Sequence, residues 1–182
     1  MENLRELLVH EIQDLYSAEQ QLIEALPKMA DKAESPELKA SFQQHLEETR
    51  EHARRLEQAA ELLGEKPTGV PCVGMKGLVK EGEEIMKEAK QPQVLDAGLI
   101  AAAQKVEHYE IASYGTASAH AEELGLMDVV ELLEATLDEE LMCNEKLTQI
   151  AEGGVNRDAA AAEERRRGRS KRAEGRASKR SR

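Results

Sequence analysis

The sequence predicts an all-helical protein built as a bundle of four long helices. Three observations point there. The 182-residue chain has no Trp and one Phe against 40% apolar and 34% charged residues, so its core must be aliphatic, a composition that favours helical packing over a sheet. Leu8, Ile12, Leu15, Leu22 and Leu26 recur at spacings of three, four and seven, the repeat of one helical face. Pro and Gly gather at a few points and leave long breaker-poor segments between them.

The first helix starts near Leu4 and is interrupted at "AESPEL", where Ser35 is a good N-cap and Pro36 suits the first position of the next helix. The second helix runs from about Pro36 to Leu63 and stops at Gly64. "GEKPTGVPCVG" reads as a loop, followed by a shorter helical piece from about Met75 to Lys90 that Pro92 ends. The third long helix spans about Val94 to Glu123 and turns at Gly125; the fourth continues to about Glu152, where Gly153 and Gly154 close it. Short turns make each pair an antiparallel hairpin. The long link between the second and third helices can cross the bundle, which is the ferritin-like variant of a four-helix bundle. Residues 1–155 are read as this single domain. Residues 156–182 are read as a disordered tail, because "RRRGRSKRAEGRASKRSR" has no Leu, Ile, Val or aromatic residue with which to offset its ordering entropy.

The net charge of −11 conceals an asymmetry: from Arg157 onward the balance is +7, and the residues before it carry −18. A basic tail of this kind can contact nucleic acid nonspecifically, but without interleaved aromatics it has no means of reading bases. No apolar run approaches the roughly 20 residues needed to cross a bilayer, and Met1 opens directly into an amphipathic helix. A cytoplasmic protein with no membrane partner is expected. Cys72 and Cys143 are too few and too far apart for a disulfide framework and are read as ordinary thiols. Met75, Met86 and Met142 read as core filler.

Glutamates interrupt the apolar stripes. Glu19 fills a gap in the first helix, and Glu110 follows Leu99, Ala103 and Val106 in the third, with Glu107 one turn before it. Burying ionised carboxylates without partners is costly, so a series of them needs a compensating cation, and Lys and Arg are scarce on these faces. Residues equidistant from the turn of an antiparallel hairpin lie at one height. Glu19 and Glu48 are 29 residues apart about the first turn; Glu110 and Glu139 are 29 apart about the second. The two hairpins also map onto each other with an offset of 91, which lays "HLEETREHARRLEQ" over "TLDEELMCNEKLTQ". Four carboxylates at one height, with His45 one turn before Glu48 and Glu107 one turn before Glu110, make a candidate metal cage. Its proposed ligands are Glu19, His45, Glu48, Glu107, Glu110 and Glu139. Two alternatives stay open: Glu140 fits the stripe of Val130, Leu133, Leu137 and Leu147 at least as well as Glu139, and His52 competes with His45. Five carboxylates and one imidazole suit two oxygen-preferring divalent ions, iron first and manganese second, rather than structural zinc.

With these residues in view, the chain resembles the YciE/YciF family of bacterial ferritin-like stress proteins. The matching segments are "LYSAEQQLIEALPKMA", "HLEET", "CVGMKGL", "LIAAAQKVEHYEIASYGT" and "TLDEE". The resemblance implies a ferritin-like or rubrerythrin-like bundle, a homodimer, a role in stress and a di-iron centre. It covers residues 1 to about 152 and not the tail. Ferritin-like proteins place His three residues after Glu on the second and fourth helices, whereas here His45 precedes Glu48 and Met142 stands three residues after Glu139. The expected function is a di-metal redox protein acting on peroxide, oxygen or ferrous iron. The rival is a non-enzymatic stress scaffold whose tail binds nucleic acid or another polyanion.

Overall fold

The computed structural model describes residues 1–162; the greater part of the basic tail, and with it the expectation of disorder, lies outside the described residues. The described chain is all helix: α1 Leu4–Lys32, α2 Pro36–Leu62, α3 Val73–Glu88, α4 Pro92–Glu123 and α5 Met127–Ile150. Asn3 opens α1 by accepting the Glu6 amide at 2.9 Å, and Ser35 opens α2 with Pro36 at its first position. Gly64 and Gly125, at φ 71° and 69°, take the left-handed conformation that ends α2 and α4, releasing Glu65 N–H to Ala60 and Leu126 N–H to Ala121.

At the end of α5 the expectation fails. Gly153 and Gly154 do not adopt positive φ, so instead of stopping the helix they lie within a π turn, Ala151–Val155, that leads into a further helical stretch over residues 156–162. Membrane-crossing helices are absent among the described residues.

The hairpins α1–α2 and α4–α5 pack side by side, α1 against α4 and α2 against α5, with α3 laid across α4 and α1. A buried carboxylate ties the second hairpin to the turn of the first. Buried Asp96 of α4 accepts the Glu34 and Ser35 amides of the α1–α2 turn, both at 2.9 Å. The crossover is strapped to α1: Gln13 donates to the Lys66 carbonyl, and Ser17 accepts the Cys72 amide.

The core forms two apolar clusters rather than one. The first contains Leu22, Leu26, Phe42, Met75, Leu99, Ile100 and Leu147. The second contains Leu8, Ile12, Leu15, Leu56, Tyr114, Val130 and Leu133. Apart from Asp96, the buried glutamates and histidines lie between the two clusters on every long helix of the bundle: Glu19 on α1, His45 and His52 on α2, Glu107 and Glu110 on α4, Glu140 on α5.

Candidate metal centre

Each residue of this belt is inward because its helix repeats. Glu19 follows Leu8, Ile12 and Leu15; Glu110 follows Leu99, Ala103 and Val106; Glu140 follows Leu133 and Thr136. Glu19, Glu110, Glu140 and His52 are fully shielded from solvent, and His45 and Glu107 nearly so. Glutamate is rarely this buried unless something pairs it.

The imidazoles sit among the carboxylates. His45 Nε2 is 3.5 Å from Glu107 and 3.7 Å from Glu140; His52 Nδ1 is 3.0 Å from Glu140 and 3.7 Å from Glu19. Neither nitrogen has the alignment of a hydrogen bond. Two groups of donor atoms follow, each gathered within 4.8 Å: His45, Glu107, Glu110 and Glu140 in one, Glu19, His52 and Glu140 in the other. Glu140 belongs to both. A third such group joins His45 and Glu107 to Cys143. Within the belt, eight buried atoms have no hydrogen-bond partner among the described residues, including both oxygens of Glu110 and both of Glu140.

The outward ring nitrogens are held differently. His52 Nε2 donates to Glu139 at 2.9 Å, and Glu139 also receives two hydrogen bonds from Arg55, at 2.6 and 3.0 Å. His45 Nδ1 is 3.4 Å from Glu48, which Gln44 also supports. Tyr114, buried in the second cluster, donates to Glu19 at 2.5 Å.

The ionisation of the belt follows from burial opposed by charge. Desolvation pushes the Glu110 carboxyl well up, and neighbouring Glu140, Glu19 and Glu107 push it further. Glu107 is pushed up to about 8, chiefly by burial, with His45 opposing. Burial alone would lower the two imidazoles, but the carboxylates outweigh it: His45 is raised by Glu107 above all, and His52 rises to about 10 against Glu140 and Glu19. At the rim the order reverses: Arg55 lowers Glu139, and His45 holds Glu48 at about 2.

Of the six ligands expected from sequence, Glu19, His45, Glu107 and Glu110 meet in the belt. Glu48 and Glu139 do not point into it. Their side chains are about 30% exposed, at 30% and 29%, and each touches the outer edge of a histidine instead. The prediction that Glu48 and Glu139 face Glu19 and Glu110 across the interior is therefore corrected: Thr49 and Glu140, one residue on, take the inward positions. His45 and His52 are not alternatives, since both lie inside. The same one-residue shift leaves Met142 exposed rather than in the core and turns Cys143 inward. Tyr114 carried no signal beyond its place on the α4 stripe.

A helical bundle whose interior carries a belt of buried glutamates and histidines defines a class in which ligands come from facing helices. A ferritin-like, diiron-carboxylate protein of Bacillus anthracis shares the fold, with a TM-score of 0.64 at 20% identity, over 82% of this chain and 99% of that one. More specifically, residues 3–160 match a family described as a domain of unknown function, DUF892, and the chain belongs to it. It is 43% identical to Protein YciF of Escherichia coli (strain K12) over 160 residues, 87% of this chain and 96% of that protein. The crystal structure of the E. coli stress protein YciF superposes with a TM-score of 0.82, covering 86% of this chain and 99% of that one. YcfI of Rhodopseudomonas palustris, 47% identical, superposes at 0.80 over 81% and 94% of the respective chains.

Proposed function

We propose that the protein is a ferritin-like bundle with the crossover between its second and third long helices, that it binds two divalent metal ions in the belt, iron first and manganese second, and that it uses them in redox chemistry with peroxide, oxygen or ferrous iron. One observation carries this reading: eight buried polar atoms that lack partners among the described residues, from six side chains on four helices, lie between two apolar clusters. Four glutamates cannot be ionised together there without cations, and two imidazolium groups balance at most two of them. An oxygen-rich donor set with two imidazoles suits iron or manganese. The shared fold of the diiron-carboxylate protein supports the metal reading, and the likeness to the stress protein YciF supports a role in stress.

When bound, two adjacent metals with open positions supply two electrons to an O–O bond or take them from ferrous iron. The chain's own residues would position them. His45, Glu107 and Glu110 would hold one ion and Glu19 and His52 the other, with Glu140 between them. Glu48, and Glu139 with Arg55, would fix the imidazole faces from outside, and the Tyr114 hydroxyl would orient Glu19. The apolar clusters above and below exclude water from the belt. Elemental analysis of protein purified without chelator tests the reading, with two ions per chain and a peroxide-sensitive visible absorbance expected. A folded protein that takes up no metal at neutral pH would overturn it.

A second role is proposed for the tail on its charge. Residues 163–182 hold ten Lys or Arg and three Glu, enough for salt-sensitive, sequence-independent contact with nucleic acid or another polyanion.

A further inference from the structure

The offset of 91 residues that relates the two hairpins also relates their burial. Inward His45, Thr49, His52 and Leu56 of α2 correspond to inward Thr136, Glu140, Cys143 and Leu147 of α5, and Glu19 corresponds to Glu110. Cys143 thus occupies the place in the second hairpin that His52 occupies in the first. Each of this pair faces an imidazole or carboxylate group of the belt. His52 gathers with Glu19 and Glu140, while Cys143 gathers with His45 and Glu107, the donor atoms of each group lying within 4.8 Å of one another.

The space beside the thiol is suited to an ion. His45, Glu107 and Cys143 line a cavity of about 10 Å³ whose remaining wall is apolar, including Leu22, Phe42 and Val106. That is room for about one water-sized particle. Two donor atoms at the same triad lack partners among the described residues: His45 Nε2 and Glu107 Oε2, on side chains that are 4% and 2% exposed. A water there would meet a mostly apolar wall, whereas a cation would satisfy all three donors.

We propose that Cys143 is a metal ligand, so that one position of the pair carries a sulfur donor with His45 and Glu107 while the other, at Glu19, His52 and Glu140, carries only nitrogen and oxygen. This rests on the metal-binding reading above and deepens it. Sulfur, imidazole and carboxylate together favour borderline-soft ions such as zinc, cobalt(II) or ferrous iron over magnesium or calcium, so the two positions differ in metal preference and fill in sequence. On binding, the thiol releases its proton to solvent as the sulfur–metal bond forms, and no electrons change hands.

Cobalt(II), titrated without oxygen into full-length metal-free protein, tests the proposal. An intense near-ultraviolet thiolate-to-cobalt band is expected, retained in Cys72→Ala and lost in Cys143→Ser. The Cys143→Ser variant should still load the other position and bind at the altered one about tenfold or more weaker, at least the loss that removing a hydrogen-bond partner of a ligating histidine brings. Cobalt uptake with no such band, or a band that survives Cys143→Ser, overturns the sulfur ligand and leaves the metal reading standing. No cobalt uptake by the folded protein overturns both. If Cys143→Ser does not fold, cobalt X-ray absorption on the wild type decides: a sulfur scatterer is required, and a shell of only nitrogen and oxygen refutes the proposal.

Discussion

Replacing Glu107 with Gln should make the metal-free protein more stable at neutral pH, although the substitution removes a residue from the centre of the fold. Burial, opposed by His45 and reinforced by Glu140, pushes this carboxyl up to about 8. In the unfolded chain it titrates near 4.3, so below about pH 4 both states hold the proton and the group adds no pH-dependent term. As pH rises from there towards 8, the unfolded state gives up its proton while the folded state keeps it, and stability is lost. At pH 7 the difference covers about 2.7 pH units, or roughly 3–4 kcal/mol at 1.36 kcal/mol per unit. Glutamine has nearly the same shape and no proton to lose. His45 keeps Glu48 at 3.4 Å and Glu140 at 3.7 Å, so the variant does not strand it. Urea unfolding with chelator present should therefore show the variant about 3 kcal/mol more stable at pH 7, a midpoint shift of roughly 1–3 M, and little difference at pH 4. A variant that is less stable than wild type at pH 7, or one that gains as much at pH 4, would show that Glu107 is not the acid raised by burial described above.

Three further outcomes follow from the same geometry. Glu140→Gln should abolish paired metal uptake because Glu140 belongs to both donor groups, whereas Glu139→Gln should weaken it by about 10–100-fold through His52; equilibrium metal titration separates them. Tyr114→Phe removes the donor to Glu19 and should cost the metal-free fold about 1–3 kcal/mol by urea unfolding, less once metal is bound. Deleting residues 163–182 removes a net charge of +7 and should leave helicity and metal content intact while ending any duplex DNA binding; titration of both forms at two salt concentrations checks this, and equal binding by the truncated form would place the contact on the bundle.

Most of the helical layout was legible because its boundaries are chemical: Ser35 with Pro36 opens α2, and Gly64 and Gly125 close α2 and α4, whereas Pro92, expected to end the short helix, instead opens α4, and α3 already stops at Glu88. Gly153 and Gly154 misled because glycine permits a left-handed stop without requiring one. The belt was legible on α1 and α4, where Glu19 and Glu110 interrupt unbroken apolar stripes. On α2 and α5 it was legible only to within one residue. "HLEET" and "LDEE" each offer adjacent acids, and a step of about 100° along a helix separates a buried side chain from a half-exposed one. The internal repeat preserves the equivalence of the two helices but does not orient them, so Glu48 and Glu139 are displaced from the interior together, each by one residue. Cys143 reads as an ordinary thiol in the sequence because an isolated cysteine has no ligand spacing; the repeat lays it over His52, and burial shows that both positions are inward.

The most direct test of the central claim is anomalous diffraction from crystals of the full-length protein soaked with ferrous iron or manganese without oxygen. The account predicts two peaks inside the bundle, one bounded by Glu19, His52 and Glu140 and the other by His45, Glu107 and Glu140. A belt with no anomalous density, its two histidines paired directly with glutamates, would contradict it.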